Sequence, residues 1–158
     1  MTYMFRRATE GDLPLLNEWI GRPHVAAWWE DAIDADDLAD PQSRAWIVAL
    51  DDRPFAHLQD YAVHGFGPHP FDYLPAGARG TDQFIGEADL LDRGHGAAML
   101  RHWCERLFAE DVPAVGVDPH PDNARAIAAY RRAGFVETER VLDTDWGRCL
   151  LMERWAPR

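Results

Sequence analysis

Gln83-Phe84-Ile85-Gly86-Glu87-Ala88-Asp89-Leu90, followed at once by Leu91-Asp92-Arg93-Gly94-His95-Gly96, decides how the chain folds. The first segment has the composition of a strand. The second is a turn with two glycines, and a helical run to about Phe108 follows it, with Leu100, Trp103, Cys104, Leu107 and Phe108 on one face at helical spacing. Strand, glycine turn and helix start together suit an anion: the glycines let backbone N–H groups and the positive helix end approach a phosphate. Two glycines that serve only a tight turn are the competing reading.

Outward from this stretch, Ala114-Val115-Gly116-Val117 is a short apolar strand, and Asp118-Pro119-His120-Pro121-Asp122-Asn123 leads into a helix from about Ala124 to Arg132. Asp122 or Asn123 can cap that helix, and Gly134 can end it in the left-handed conformation. Val136 to Val141 and Trp146 to Glu153 read as two final antiparallel strands.

The turn Arg93-Gly94-His95-Gly96 with Asn123-x-x-Ala126-x-x-x-Tyr130-x-x-x-Gly134-Phe135 resembles the two acyl-CoA-binding motifs of the GNAT superfamily of N-acyltransferases. Within it the chain is similar to the aminoglycoside 6'-N-acetyltransferases and to relatives that acylate lysine-derived siderophore precursors. Glu18-Trp19, His24 with Trp28-Trp29, Gln59-Asp60-Tyr61, Arg79-Gly80-Thr81-Asp82-Gln83 and Asp118-Pro119-x-Pro121-x-Asn123 keep the family's order over nearly the whole length. Two departures stand out. Leu91 occupies the place of the family's usual Gln or Arg at the head of the glycine signature, and the segment from Val63 to Ala78 lacks the paired tryptophans of the aminoglycoside enzymes.

The resemblance implies an acetyl-CoA-dependent N-acetyltransferase that acts on a primary amine of a cationic, aminoglycoside-like molecule by direct attack in a ternary complex. Asp82 takes the place of the general base, acting directly or through one water, or else holds the ammonium group; a turn cap or an ion pair with Arg79 is its structural alternative. Tyr130 takes the place of the acid that protonates the departing thiolate, with core packing as its alternative. Backbone at Phe84, Ile85 and Gly86 is expected to meet the thioester carbonyl and pantetheine arm. Arg93, Gly94, His95, Gly96, Ala97 and Ala98 are expected at the pyrophosphate, with Asn123 and Ala126 also on the cofactor. Trp28, Trp29, Gln59, Asp60, Tyr61 and Asp72 are the candidate acceptor contacts, with Asp82. Two other readings keep the cofactor groove: transfer of a longer acyl chain to a lysine or N-hydroxylysine siderophore precursor, with Phe66, Phe71 and Tyr73 restricting the pocket, and a CoA-binding sensor without turnover.

Composition bounds these readings. At 158 residues the chain reads as one domain, 1–158, with 47% apolar and 27% charged residues and no apolar run that approaches the roughly 20 residues of a membrane span. The N-terminus lacks a signal pattern, so a cytoplasmic protein is expected, as a monomer or homodimer. The formal charge of 16 minus 27, or −11, disfavours a nucleic-acid partner and suits a cationic substrate. All 16 basic residues are arginine, which excludes Schiff-base chemistry and a lysine-bearing phosphate loop. Cys104 and Cys149 stand apart from any Cys-x-x-Cys and read as buried thiols. His64 and His69 lack a third residue at metal-like spacing, so no metal is expected.

In the N-terminal half, Tyr3 to Arg7 reads as a strand, Leu13 to Ile20 as a helix, His24 to Glu30 as a second short helix, and Asp31 to Asp40 as an acidic connection with a solvated face. Arg44 to Leu50 and Phe55 to Val63 form a hairpin, with Gln59 and Tyr61 on one face. The Gly- and Pro-rich segment 64–78 reads as a substrate-covering loop. This order gives an α/β (α+β) fold, a mixed, mostly antiparallel twisted sheet of about seven strands with helices on both faces, which is also what the GNAT resemblance implies.

Overall fold

The computed structural model describes residues 2–158. Seven strands form one sheet in the order β1-β2-β3-β4-β5-β7-β6. They are β1 (Tyr3–Arg7), β2 (Ser43–Leu50), β3 (Arg53–Ala62), β4 (Arg79–Ile85), β5 (Ala114–Val117), β6 (Val136–Thr144) and β7 (Gly147–Trp155). The helices are α1 (Leu13–Ile20), α2 (Pro23–Ala26), α3 (Ala35–Ala39), α4 (His95–Ala109) and α5 (Ala124–Arg132). β4 and β5 run parallel, whereas β1 with β2, β5 with β7 and β6 with β7 are antiparallel, which makes the sheet mixed as expected. The chain forms two compact units, 1–60 with 82–95, and 61–81 with 96–158.

In the first unit the core forms between α1, α2 and the sheet: Leu16, Trp19, Ile20, Val25, Ile33 and Ile47 are buried together, with Trp29 and Phe84 packed against them. The β2–β3 hairpin closes through Asp51 and Asp52, both at positive φ (46° and 73°), a conformation that Asp tolerates better than most side chains. Strand β4 begins and ends earlier than the sequence suggests, because Gly86 stops it. The Trp19 ring lies where a Cβ on Gly86 would be, 2.2 Å from the nearest ring atoms, so only glycine fits there. The Gly86 amide donates to Phe55 O at 2.7 Å, and the chain then turns through a 3-10 segment at Ala88–Leu90.

Two other expectations shift. The helix placed at 24–30 ends at Ala26, after which the amides of Trp28 and Trp29 both donate to Val25 O. The acidic connection contains the short helix α3, started by a reciprocal capping box in which Asp34 accepts from the Asp37 amide at 3.0 Å and Asp37 accepts from the Asp34 amide at 2.9 Å. Two members of the acid run therefore cap a helix start.

An ion pair at the first helix entrance sets a pH response. Asp12 receives both guanidinium arms of Arg6 at 2.7 Å and the Thr9 amide at 2.8 Å, and the Arg6 hydrogen bonds, ahead of the Thr9 contact, hold its carboxyl below the ordinary 3.8. A depressed folded pKa contributes stability that is present above the unfolded value and is lost as pH falls through the folded one. The stability gap between the native protein and Asp12→Asn is therefore expected to be full at pH 6 and to close below pH 3.8, as read from urea midpoints along an acid series. A gap that does not change with pH refutes this.

In the second unit Tyr61, Val63, Phe71, Leu74, Ala78, Ala114, Cys149 and Leu151 form the core. Asn123 caps α5 through Oδ1 to the Ala126 amide, and Gly134 ends the helix region at φ 96°, both as the sequence indicates. Burial pushes the Cys104 thiol up to about 12 and the Cys149 thiol up to about 11, so neither supplies a thiolate near neutral pH. Among the described residues no helix is long and apolar enough to cross a membrane.

Candidate active site

The first unit brings together Gln59 on β3 and Asp82 on β4. Gln59 Nε2 donates to Asp82 Oδ2 at 3.0 Å, and both side chains are half-buried. An amide donor orients the carboxylate of Asp82 without supplying a counter-charge of its own. Phe84, two residues further along the same face of β4, packs edge-on to Trp19 and Trp29, with ring centroids 6.2 and 5.1 Å away.

Several expected contacts prove to be structural. Asp60 is fully buried, and its carboxylate accepts from Arg44 Nε and Nη2, at 3.0 and 2.7 Å to Oδ1, and from Trp46 Nε1 at 2.8 Å to Oδ2. Strand alternation turns it to the face opposite Gln59, and these partners occupy it, so it does not meet an acceptor. Tyr61 does lie on the Gln59 face, but its ring packs on Gly80, where an added Cβ would come within 2.1 Å, and it belongs to the core. Trp28 is exposed. Trp29 is half-buried, edge-on to His57 and Phe84, and donates from Nε1 to Asp31 O at 3.1 Å.

At the end of β4 the backbone is largely engaged by the protein itself. The Ile85 carbonyl accepts from His24 Nε2 at 2.9 Å, the Gly86 carbonyl accepts from Arg22 Nη1 at 2.9 Å, and the Gly86 amide is taken by Phe55. The expected role of the Gly86 amide toward a thioester is thereby removed. His24, which the resemblance marks, and Arg22, which no motif marks, act by holding the strand end, and Arg22 also bonds Glu87 at 3.0 Å and Glu18 at 3.1 Å.

In the glycine turn, Gly94 adopts φ 83° and has open space on its Cβ side, and Arg93 is exposed beside it. His95 turns inward. Its ring is buried and Nδ1 pairs with Tyr3 Oη at 2.8 Å, so only its backbone faces the turn. Ala97 is buried as well, whereas Gly96 and Ala98 are half-exposed and small. Open space at Gly94 beside an exposed guanidinium, just ahead of the start of α4, fits a phosphate group.

In the second unit Tyr130 is buried on α5, with its ring 6.0 Å from that of Phe135, and Asn123 and Ala126 form the helix cap. Segment 63–78 is pinned rather than free to cover a site. Phe71 is fully buried against Gly116, Leu74 is buried, and His64 Nε2 donates to Leu74 O at 2.8 Å. His69 stacks on Phe71 and Trp146, and Asp72 accepts from the His69 amide at 2.8 Å, which closes the turn. Phe71 thus supports the core, while Phe66 and Tyr73 stay exposed. Asp118, at the end of β5, accepts from Trp146 Nε1 at 2.8 Å.

Residues 8–142 match the profile of the acetyltransferase (GNAT) domain. The aminoglycoside N(6')-acetyltransferase type 1 of Klebsiella pneumoniae is 32% identical over 154 residues, which cover 89% of this chain and 77% of that protein. A kanamycin resistance protein of Rhizobium radiobacter is 39% identical over 70 residues, 44% of this chain and 65% of that protein. Among solved structures, aminoglycoside acetyltransferase AAC(6')-Ib with coenzyme A and kanamycin superposes with a TM-score of 0.87 at 30% identity, covering 98% of this chain and 95% of that one. A glycine turn open for a phosphate, a carboxylate held at the sheet and similarity over most of the length agree: the chain belongs to the GNAT family of acetyltransferases.

Proposed function

We propose that this acetyltransferase moves the acetyl group of acetyl-CoA to a primary amine of an aminoglycoside, of the 6'-N type, by direct attack in a ternary complex in the cytoplasm, with the chain working as a single acyltransferase domain. The observation that carries the reading is the Asp82 carboxylate, half-buried and oriented by Gln59. Such a group holds an ammonium ion in place and takes its proton, directly or through one water, as the amine attacks. The AAC(6')-Ib structures that the chain resembles contain acetyl-CoA with paromomycin, or coenzyme A with kanamycin.

Acetyl-CoA, when bound, supplies an acyl group activated as a thioester. The outer side of the turn at Arg93, Gly94, Gly96 and Ala98 holds its pyrophosphate, with Arg93 adding charge. Asn123, whose Oδ1 caps α5, retains its N–H₂ for the cofactor. Tyr130 Oη carries a proton for the leaving sulfur. The half-buried Trp29 and the exposed Trp28 offer aromatic surface to the acceptor, and a formal charge of −11 steers a polycation inward.

Free-thiol release from acetyl-CoA is the test, with kanamycin, spermidine, lysine and N-hydroxylysine as acceptors against an enzyme-free control. Release confined to kanamycin is expected. Release with lysine or N-hydroxylysine alone overturns the acceptor class, and silence on all four overturns the activity.

A further inference from the structure

His57 occupies the face of β3 that also carries Gln59, and none of its surface is exposed. Its Nδ1 lies 3.0 Å from the carbonyl oxygen of Trp46, which can only accept, so Nδ1 carries the hydrogen and Nε2 is left as a bare lone pair. That lone pair has no hydrogen-bond partner among the described residues. Burial pushes the ring down to about 4, so it is neutral at physiological pH and Nε2 remains an acceptor. The surroundings are aromatic: Trp29 stands edge-on at 5.5 Å and Phe84 lies tilted at 5.2 Å.

A lone pair buried in this way is unfavourable until a donor meets it. A buried polar atom left without a partner therefore points to a donor that arrives from outside. Its place narrows the choice, because Phe84 is one same-face step, roughly 7 Å, along β4 from Asp82. Trp29, edge-on to the His57 ring, belongs to the irregular segment after α2 and is itself half-exposed.

We propose that His57 Nε2 is an acceptor subsite for the amine substrate: it takes an N–H or O–H of the aminosugar ring beside the amine held at Asp82, once the Trp29 indole swings aside. This rests on the aminoglycoside reading above. The interaction is specific to a donor on the substrate, so it tunes kanamycin affinity and leaves acetyl-CoA affinity alone. A neutral imidazole also suits a polycation better than an imidazolium, which would repel it.

The test uses the native protein labelled with nitrogen-15 in its histidine rings and saturated with coenzyme A. Kanamycin binding is measured by calorimetry, and the His57 Nε2 resonance is followed through the same titration, assigned by its loss in His57→Phe. The expected result is a move of the Nε2 resonance toward hydrogen-bonded values that saturates with the calorimetric isotherm and is absent when coenzyme A alone is added. His57→Phe is expected to raise KM for kanamycin about tenfold with an unchanged KM for acetyl-CoA. Kanamycin binding with a static Nε2 resonance overturns the subsite while the acceptor class stands. Absence of any binding heat overturns both.

Discussion

Asp82→Asn is expected to lower kcat/KM for kanamycin by roughly 10²–10³-fold while KM for acetyl-CoA stays within twofold. The side chain keeps its volume and can still bond Gln59, whose Nε2 reaches Asp82 Oδ2 at 3.0 Å in the native protein. What is lost is charge. An asparagine amide neither pairs with an ammonium ion nor takes its proton, and both losses fall on the acceptor half of the reaction. Gln59→Ala leaves the charge and removes only its orientation, and a loss of about tenfold is expected for a hydrogen bond of ordinary worth. This order of effects separates a catalytic carboxylate from one that merely closes a turn. Turnover by Asp82→Asn within twofold of the native rate would assign Asp82 to structure, and Tyr130→Phe, measured beside it, would show whether the proton for the thiolate comes from elsewhere.

The largest loss of stability is expected from Arg44→Ala. Asp60 is fully buried and takes three contacts from two guanidinium nitrogens of Arg44, whereas Trp46 supplies a neutral N–H. Removal of one partner of a buried pair leaves an uncompensated charge and typically costs about 3–5 kcal/mol. For a chain of this length that is a fall of roughly 6–20 °C in melting temperature. Arg44→Leu combined with Asp60→Leu removes both charges, and most of the loss is expected to return, because the pair itself contributes little net stability once its desolvation is counted. A double variant as unstable as the single one would show that the pair is favourable in its own right. Kanamycin KM measured on the folded fraction of the Arg44→Ala protein should not change, since Asp60 faces away from Gln59.

The physical differences between neighbours on β3 explain why some of the site is legible in the sequence and some is not. Alternation along a strand places Gln59 and Tyr61 on one face and Asp60 on the other, and that much follows from the sequence. Which face a partner covers does not. Arg44 and Trp46 lie 14 to 16 residues away on β2, and only the hairpin register brings their donors onto Asp60 and turns a plausible acceptor contact into a buried anchor. The same applies to Phe71, which a Gly- and Pro-rich segment presents as a loop residue until Gly116 provides a slot for its ring.

The sequence by itself determined the seven strands in order, the cap of α5 to within Asp122 or Asn123, its end at Gly134, the glycine turn before α4 and the family. Each of these is set by local rules: alternation, helical periodicity, capping oxygens and backbone that needs positive φ. Tertiary structure alone decided where β4 ends, because Trp19 lies on Gly86. It also decided that His95 faces Tyr3 rather than a ligand, that Gln59 holds Asp82, and that His57 is buried with an unmatched lone pair. These depend on contacts between residues far apart in the chain, where the energy of a buried polar atom is set by whether a donor happens to meet it, and no local pattern encodes that meeting.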